Sequence, residues 1–401
     1  MDLELTAQER AFRDELRGWL DERLAGEFAE HRGIGGPASD EGWEIRVRWD
    51  KELSSAGWLG LTWPRELWGR GLTAREEAIF VIEHSRANAP YLATEQGLTL
   101  LGPTLLAFGT EAQKRRFIPP ILAVDELWGQ GFSEPGAGSD LASVTTRAER
   151  VRAGGEGAKE GEAGGGWVIN GQKIWTSTGD RAQWLYVLCR TAPDPALRHR
   201  GLTMFIVDAR QPGVEVRPIT NLAGRGEFCE VFFTDARTSD DLMLGELNGG
   251  WRVAMGTLSF ERGLTLLSHQ IRYEREIRAA IDLARARGKT ADPVTRQRLA
   301  QAWAAVQVMR FMNLRSLTTL FKAEEPGSFP SITKLFASRQ HQRLAELHAE
   351  LAGPWLEVVG EDYGLRPVQS VFLNSRAETI YGGTAEVQHN IIAERVLGLP
   401  R

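Results

Sequence analysis

One carboxylate on an apolar helical stripe is the residue of this chain best placed to do chemistry. Ala254, Leu258, Glu261, Thr265 and Ser268 recur at three- and four-residue steps, which puts Glu261 on one largely apolar helix face. A carboxylate there is costly unless it is paired or used. Used, it is a general base, because withdrawal from water raises a carboxyl pKa towards neutrality and fits it for proton abstraction. An ion pair with a nearby arginine, or plain solvation at the helix surface, explains the spacing equally well. Two further segments carry candidate ligand-binding groups. In GQGFSEPGAGSD (129–140) the glycines let backbone approach a ligand closely, and Ser133 and Ser139 offer hydroxyls; a tight interdomain turn is the alternative. In KIWTS, strand alternation places Trp175 and Ser177 on one face and Ile174 and Thr176 on the other. A tryptophan beside a hydroxyl can flank a planar heterocycle, and packing under a loop is the competing reading.

Other chemistries find less support. The seven histidines show no ligand spacing for a metal, and His341 and His348 are expected at the surface of a polar helix. No GxGxxG follows an expected strand, so a dinucleotide would have to bind by other means than a Rossmann turn. Cys189 and Cys229 cannot build a disulfide framework; they read as core residues and suit a reducing cytosol. The formal net charge of −5 and the lack of a basic tract argue against nucleic acid as partner. No stretch approaches the roughly 20 apolar residues of a membrane span, and the N-terminus resembles neither a signal nor a transit peptide, so a cytoplasmic protein without membrane insertion is expected.

The elements that must position these groups fall into three blocks. With 401 residues, 42% of them hydrophobic, the chain is long enough for two or three domains. Thr6 and Glu9 form a capping-box signature ahead of Phe12, Leu16, Trp19, Leu20 and Leu24 at helical spacing, and helical patterns continue over 44–56, 74–86 and 98–108. Short runs rich in Val, Ile, Phe and Trp follow (WVIN, WLYVLCR, LTMFIVD, VEVRPI, EVFFTD) and predict an antiparallel sandwich or barrel. Residues 154–166, mostly Gly, Glu, Ala and Lys, read as a flexible hairpin loop. Four helices are then expected over 251–287, 294–322, 332–359 and 385–397, a four-helix bundle. The fold expectation is α+β multidomain: an N-terminal helical domain (1–125), a central antiparallel β-barrel or sandwich (126–245) and a C-terminal four-helix bundle (246–401).

Taken together, FSEPGAGSD, KIWTSTGDRAQW, GLTMFIVD and IYGGTAEVQHNIIAERVLGLPR resemble the acyl-CoA dehydrogenase family, in the family's order and over essentially the whole chain. LLAFGTEAQKRRFIPPIL is a further family-like segment. The resemblance implies FAD held between the strand domain and the C-terminal bundle. Gln130, Phe132 and Ser133 would lie along the isoalloxazine edge, Trp175 and Ser177 against its other side, and Thr384 and Glu386 by the pyrophosphate and adenosine. Unpaired N–H groups at that last helix start make an anion contact reasonable; an ordinary N-cap role for Thr384 is compatible with it. Ser139 matches a residue near the thioester and pantetheine arm of an acyl-CoA substrate, and Arg262 one near the substrate, with an exposed helix arginine as the even alternative. The implied reaction removes the α proton of an acyl-CoA while the β hydrogen leaves as hydride to flavin N5, giving a trans-2-enoyl-CoA. Many members carry the base just before the Gly-Thr of a YEGT-type segment. Here that position is Gly382, and the resemblance transfers the role to Glu261, the position used by long-chain and isovaleryl types. Gly382 and Gly383 would contribute backbone N–H groups that polarise the thioester carbonyl.

Two segments depart from the family pattern. LARARGKTADPVTRQRLA stands where an RxFG-type sequence grips a neighbour's FAD, and AELAGPWLEVV stands where a glycine-rich turn is usual. The expected assembly is therefore either an α2β2 heterotetramer whose related subunit completes the flavin site, or a homo-oligomer using its own Arg287 or Arg296. An electron-transferring flavoprotein is the expected electron acceptor. A flavin oxidase or monooxygenase on the same fold, and a catalytically silent scaffold subunit, are the alternative readings; retention of Glu261 speaks against the second.

Overall fold

The computed structural model describes residues 4–36, 41–151, 166–261, 264–322, 327–360 and 365–400, with only the backbone of Pro195 and Glu261. Eleven α-helices are assigned among these residues: α1 (Ala7–Ala25), α2 (Trp43–Ser55), α3 (Ala74–Arg86), α4 (Gly102–Phe108), α5 (Glu111–Leu122), α6 (Gly250–Glu261), α7 (Thr265–Ala286), α8 (Pro293–Phe321), α9 (Phe329–Ala352), α10 (Pro367–Asn374) and α11 (Ala385–Ile391). Eight strands lie between α5 and α6: β1 (Trp128–Gly131), β2 (Arg147–Arg150), β3 (Gly166–Ser177), β4 (Trp184–Arg190), β5 (Leu202–Asp208), β6 (Val214–Ile219), β7 (Phe228–Ser239) and β8 (Met243–Leu244). The helix–strand–helix order expected from the sequence is the observed one. Most of the 154–166 loop lies outside the described residues.

By internal contacts the chain divides into two units. One comprises Met1–Arg32, Thr73–Ala89 and Arg262–Arg401, and so joins α1 and α3 to α7–α11. Its start signals are those of the sequence: Thr6 and Glu9 cap α1 reciprocally, and Thr73 and Glu76 do the same for α3. Its main core is built from α7, α8 and α9, with Tyr273, Ile277, Val306, Met309, Ala337 and Leu344 buried together. Helix α9 ends at Ala352, earlier than expected, because Gly353 takes a positive φ of 55° and a short 3-10 turn follows.

The other unit, Gly33–Leu72 and Pro90–Glu261, holds the sheet with α2, α4, α5 and α6. The strands run in the order β6-β7-β3-β2-β4-β5-β8, with β1 also paired to β4. The sheet is not purely antiparallel as expected: β1 pairs with β4 in parallel, Gln130 opposite Tyr186, and β2 touches β4 in parallel at Arg147. Strands β4 and β5 are buried almost throughout, which explains why they read as unbroken apolar runs rather than alternating ones. Cys189 and Cys229 are both fully buried here, as core residues.

The single helix expected over 251–287 is two helices. Glu261 closes α6 and Thr265 opens α7, so Thr265 and Ser268 do not continue the stripe that carries Glu261. The sequence between them contains Gly263, and glycine is the poorest helix former after proline.

Candidate active site

Strand β1 lies close to its neighbours at its two inward-facing glycines. A Cβ on Gly129 would meet Leu185 Cδ2 at 2.8 Å and Thr176 Cγ2 at 3.1 Å, and one on Gly131 would meet Val187 Cγ2 at 3.1 Å. Gln130 thereby lies opposite Tyr186 of β4, and Thr176 of β3 packs against Gly129. Both carry a buried polar atom without a hydrogen-bond partner among the described residues, Gln130 Nε2 and Thr176 Oγ1. Native proteins leave few such atoms unsatisfied, and each fits a polar atom of a ligand. Phe132 is buried edge-on to Tyr186, with ring centroids 5.7 Å apart. The carbonyl of Ser133 accepts the Ile174 N–H at 2.9 Å, which sets Ser133 beside Trp175. Residues 134–137 form the tight turn, closed by two backbone bonds of 3.0 Å between Glu134 and Ala137, and Ser139 beyond it is exposed.

Simple alternation fails around Trp175. On β3 the register moves from Lys173 opposite Val231 to Thr176 opposite Cys229, so β3 spends one residue more than β7 over that interval. The extra residue is a bulge, and Trp175 takes a left-handed φ of 63°. Lys173 and Thr176 point inward, Ile174 is half-buried instead of paired with Thr176 on the inner face, and Trp175 is 56% exposed with only Phe228 edge-on at 6.0 Å. Ser177 is half-buried. A large indole held in a strained conformation on the surface is available to cover a planar ligand. Trp175→Ala is expected to weaken flavin binding by about 1–2 kcal/mol, roughly tenfold in Kd, while leaving the melting temperature of flavin-free protein unchanged; flavin titration monitored by fluorescence reads the first and thermal unfolding of the apoprotein the second.

Beneath this edge lies a buried ion pair. Lys173, fully buried, donates to Glu134 Oε1 at 2.8 Å and to the carbonyl of Phe132 at 3.0 Å. Glu134 also accepts the Thr145 and Thr146 N–H groups and the Thr145 hydroxyl at 2.7–2.8 Å. Burial alone would raise the Glu134 pKa, but the Lys173 charge and these hydrogen bonds outweigh it and hold the carboxyl down at about 2. The pair ties the 129–134 segment to β3.

Helix α6 is fastened at both ends of its buried face. A Cβ on Gly250 would meet the Thr203 backbone at 2.6 Å, and one on Gly256 the Phe108 ring at 2.5 Å. Val253, Ala254 and Thr257 are buried, and the Thr257 hydroxyl meets that of Thr104 at 2.9 Å. Glu261 is the last residue of this anchored helix; Arg262 lies outside the described residues.

In the other unit a glycine turn leads into α11. Gly382 and Gly383 take φ of 62° and 85°, a region side chains rarely adopt. Lys334 Nζ donates to the Gly383 carbonyl at 2.6 Å, and Gln388 Nε2 reaches the Gly382 and Gly383 carbonyls at 3.2 Å. With the carbonyls held, the Gly382 and Gly383 N–H groups make no hydrogen bond to other described residues. Thr384 is the N-cap, its side chain accepting from the Val387 N–H at 3.1 Å, and Glu386 is exposed in the first turn. The Glu386 carboxyl is held below its usual pKa, mainly by its own backbone N–H and by Thr384.

The fit to FAD can be tested on these features. In the sheet unit an unpartnered amide, an unpartnered hydroxyl and an exposed tryptophan suit a flavin ring, and in the other unit the start of α11 suits an anion such as a pyrophosphate. Sequence reasoning missed Lys173, Glu134, Lys334 and Gln388. A charge at the inward position of the Trp167–Ile169–Lys173 alternation was the available signal for the first. His341, expected at the surface, is 3% exposed and lies inside the α7–α8–α9 core; its spacing from Ala337 and Leu344 places it on that helix's apolar face. Arg287, one expected flavin contact, instead donates to the Ala352 carbonyl at 2.7 Å, and Arg296 donates to the carbonyls of Thr290 and Ala291.

Comparison with known proteins assigns all three blocks. The N-terminal, middle and C-terminal domain models of acyl-CoA dehydrogenases match residues 6–125, 129–236 and 248–397. The chain belongs to the acyl-CoA dehydrogenase family, a family of oxidoreductases that generally use FAD. It is 47% identical over 392 residues to acyl-CoA dehydrogenase IpdE1 of Mycolicibacterium smegmatis, covering 97% of each chain. Among solved structures it resembles the Tcur3481-Tcur3483 steroid ACAD (30% identity, TM-score 0.84, 100% of both chains). The ChsE4-ChsE5 complex of Mycobacterium tuberculosis is similar at 28% identity and TM-score 0.79, again over 100% of both chains. No helix among the described residues is long and apolar enough to cross a membrane.

Proposed function

We propose that this chain oxidises an acyl-CoA thioester to the trans-2-enoyl-CoA, with Glu261 taking the α proton. The observation that carries this reading is a carboxylate at the end of anchored helix α6 in a chain whose alternative family position, Gly382, has no side chain to act in its place. When bound, FAD accepts the β hydrogen as hydride. Gln130 and Ser133 hold one edge of its ring, Phe132 backs that edge, and Trp175 with Ser177 covers the other side. Thr384 and Glu386 at the α11 start take the pyrophosphate and adenosine portion. The Gly382 and Gly383 N–H groups receive the thioester carbonyl and stabilise negative charge as the α proton leaves. Ser139 and Arg262 contribute to binding the acyl-CoA.

A steroid-derived acyl-CoA is the favoured substrate class, supported by the likeness over the full chain to a steroid ACAD. A related subunit completes the flavin site, electrons pass to an electron-transferring flavoprotein, and the assembly works in the cytoplasm. Support for a subunit contact comes from α8, where Ala304, Val308 and Phe311 expose an apolar stripe at helical spacing, Phe311 to 65%. The test is anaerobic mixing of the flavin-loaded protein with acyl-CoAs of increasing bulk. Bleaching by a steroid-type acyl-CoA, with slow reoxidation in air, is the expected result. Fast reoxidation by oxygen would mark an oxidase, and no bleaching by any thioester a silent scaffold. Stoichiometric FAD in the chain expressed alone would overturn the partner-subunit assignment.

A further inference from the structure

A buried cluster of charge, unconnected with any residue assigned above, sits in the core of the first unit. His341 of α9 presents Nδ1 to both oxygens of Glu378 at 2.8 Å and Nε2 to Glu276 Oε2 at 2.6 Å. Its ring stacks on Tyr273 with centroids 3.9 Å apart and planes 17° from parallel. Tyr273 donates its hydroxyl to Glu378 Oε2 at 3.3 Å, and Arg272 lies 3.4 Å from Glu276 and 3.5 Å from Glu378. His341, Glu378 and Tyr273 are each at most 6% exposed.

Carboxylates at both ring nitrogens demand a proton on each, so the geometry calls for an imidazolium. Two cations, Arg272 and His341, then balance two anions, Glu276 and Glu378. Such a cluster is costly to bury and would be replaceable by apolar side chains unless it served a purpose. Glu378 shows what that purpose is. It lies in the short turn Ala377–Thr379, four residues before Gly382. It is the point at which that turn is bound to both α7 and α9.

We propose that His341, by bridging Glu276 and Glu378, is a positioning residue that fixes the Gly382–Gly383 amides for the thioester carbonyl. This rests on the reading of those amides given above. The bridge, with the direct contacts of Tyr273 and Arg272 to Glu378, sets the turn's distance from α7, whereas Lys334 and Gln388 hold only its carbonyls. Misplacing a carbonyl-binding amide by an ångström can cost about a hundredfold in rate. The turn has a second tether to α9, because Gln342 Nε2 donates to the Ser375 carbonyl at 3.0 Å and to Thr379 Oγ1 at 3.2 Å. Loss of the bridge therefore loosens the turn without releasing it.

The groups facing His341 also determine how the device responds to pH. They are His269, Arg272, Tyr273 and Glu276 from α7 and Glu378 from the turn; the face of α8 is apolar there (Ala302, Ala305, Val306, Met309). Burial opposes the charge on His341, but the two carboxylates prevail and its pKa is raised. A raised folded-state pKa means that the bridge is fully formed below about 6.5 and is lost as pH climbs through the folded value.

The experiment uses the thioester carbonyl stretch of a bound acyl-CoA, read by isotope-edited infrared spectroscopy in flavin-loaded Glu261→Gln protein, where the substrate persists. The expected result is a red shift of that band on binding, diminished by adding His341→Asn and diminished in the parent as pH rises. In otherwise wild-type protein His341→Asn should slow flavin reduction by about 10–100-fold with little change in KM. An unaltered band with a lowered melting temperature would make the cluster merely structural and overturn the proposal. If His341→Asn fails to fold, Glu378→Gln, which keeps the shape and one acceptor, takes its place under the same criteria. Turnover by Glu261→Gln itself would instead remove the assigned base and leave this inference to be read from the reduction rates.

Discussion

Glu261→Gln should retain its flavin and bind acyl-CoA as the parent does, yet reduce that flavin about 10²–10⁴-fold more slowly. Glutamine keeps the size and polarity of the side chain but cannot accept the α proton. No second carboxylate stands ready at the alternative family position, since Gly382 occupies it with a φ of 62°. Helix α6 is held by contacts that the substitution does not touch, namely Gly250 on the Thr203 backbone, Gly256 on Phe108 and Thr257 on Thr104. The loss should therefore fall on the chemical step and spare KM. Anaerobic stopped-flow bleaching gives the rate, and its pH profile should lose the ionisation of the base. A variant within about tenfold of the parent would place the base elsewhere.

Lys173→Met is expected to be the most destabilising single change in the sheet unit, costing about 3–5 kcal/mol because it strands the Glu134 carboxylate in the core. Methionine fills the space of the alkyl chain, so the loss is electrostatic rather than a cavity. The variant should also lose FAD, since Lys173 donates to the Phe132 carbonyl between Gln130 and Ser133. The pH dependence has a definite sign. With its folded pKa held down at about 2, Glu134 contributes stability above the unfolded value of about 4.5 and loses it as pH falls towards 2. In the variant that acid-labile contribution disappears, so its unfolding free energy should vary less than the parent's between pH 5 and about 2. Urea unfolding at several pH values measures both effects; an unfolding midpoint matching the parent's would show that the pair contributes nothing.

Particular residues show where the sequence was legible. Thr6 with Glu9 announces the first helix because a capping box is written in a four-residue window, and the folded chain closes it with both reciprocal bonds. Strands β4 and β5 were readable from their apolar runs because burial on both faces leaves no room for polar side chains. The bulge at Trp175 was not, because one extra residue is defined by the partner strand and not by KIWTS itself. His341 was misread for a similar reason. A histidine is placed at the surface by its own polarity, and only Glu276 and Glu378, 65 and 37 residues away, make its burial tolerable.

The sequence by itself determined the order of helices and strands and the family, and it carries the proposal that the catalytic side chain stands at 261 rather than 382, because these depend on local periodicity and on motifs read in line. Tertiary structure alone decided that Gln130 and Thr176 would each carry an unpartnered buried atom and that Lys173 would neutralise Glu134. Those outcomes arise from desolvation and pairing between residues distant in the chain, whose energies no local pattern contains.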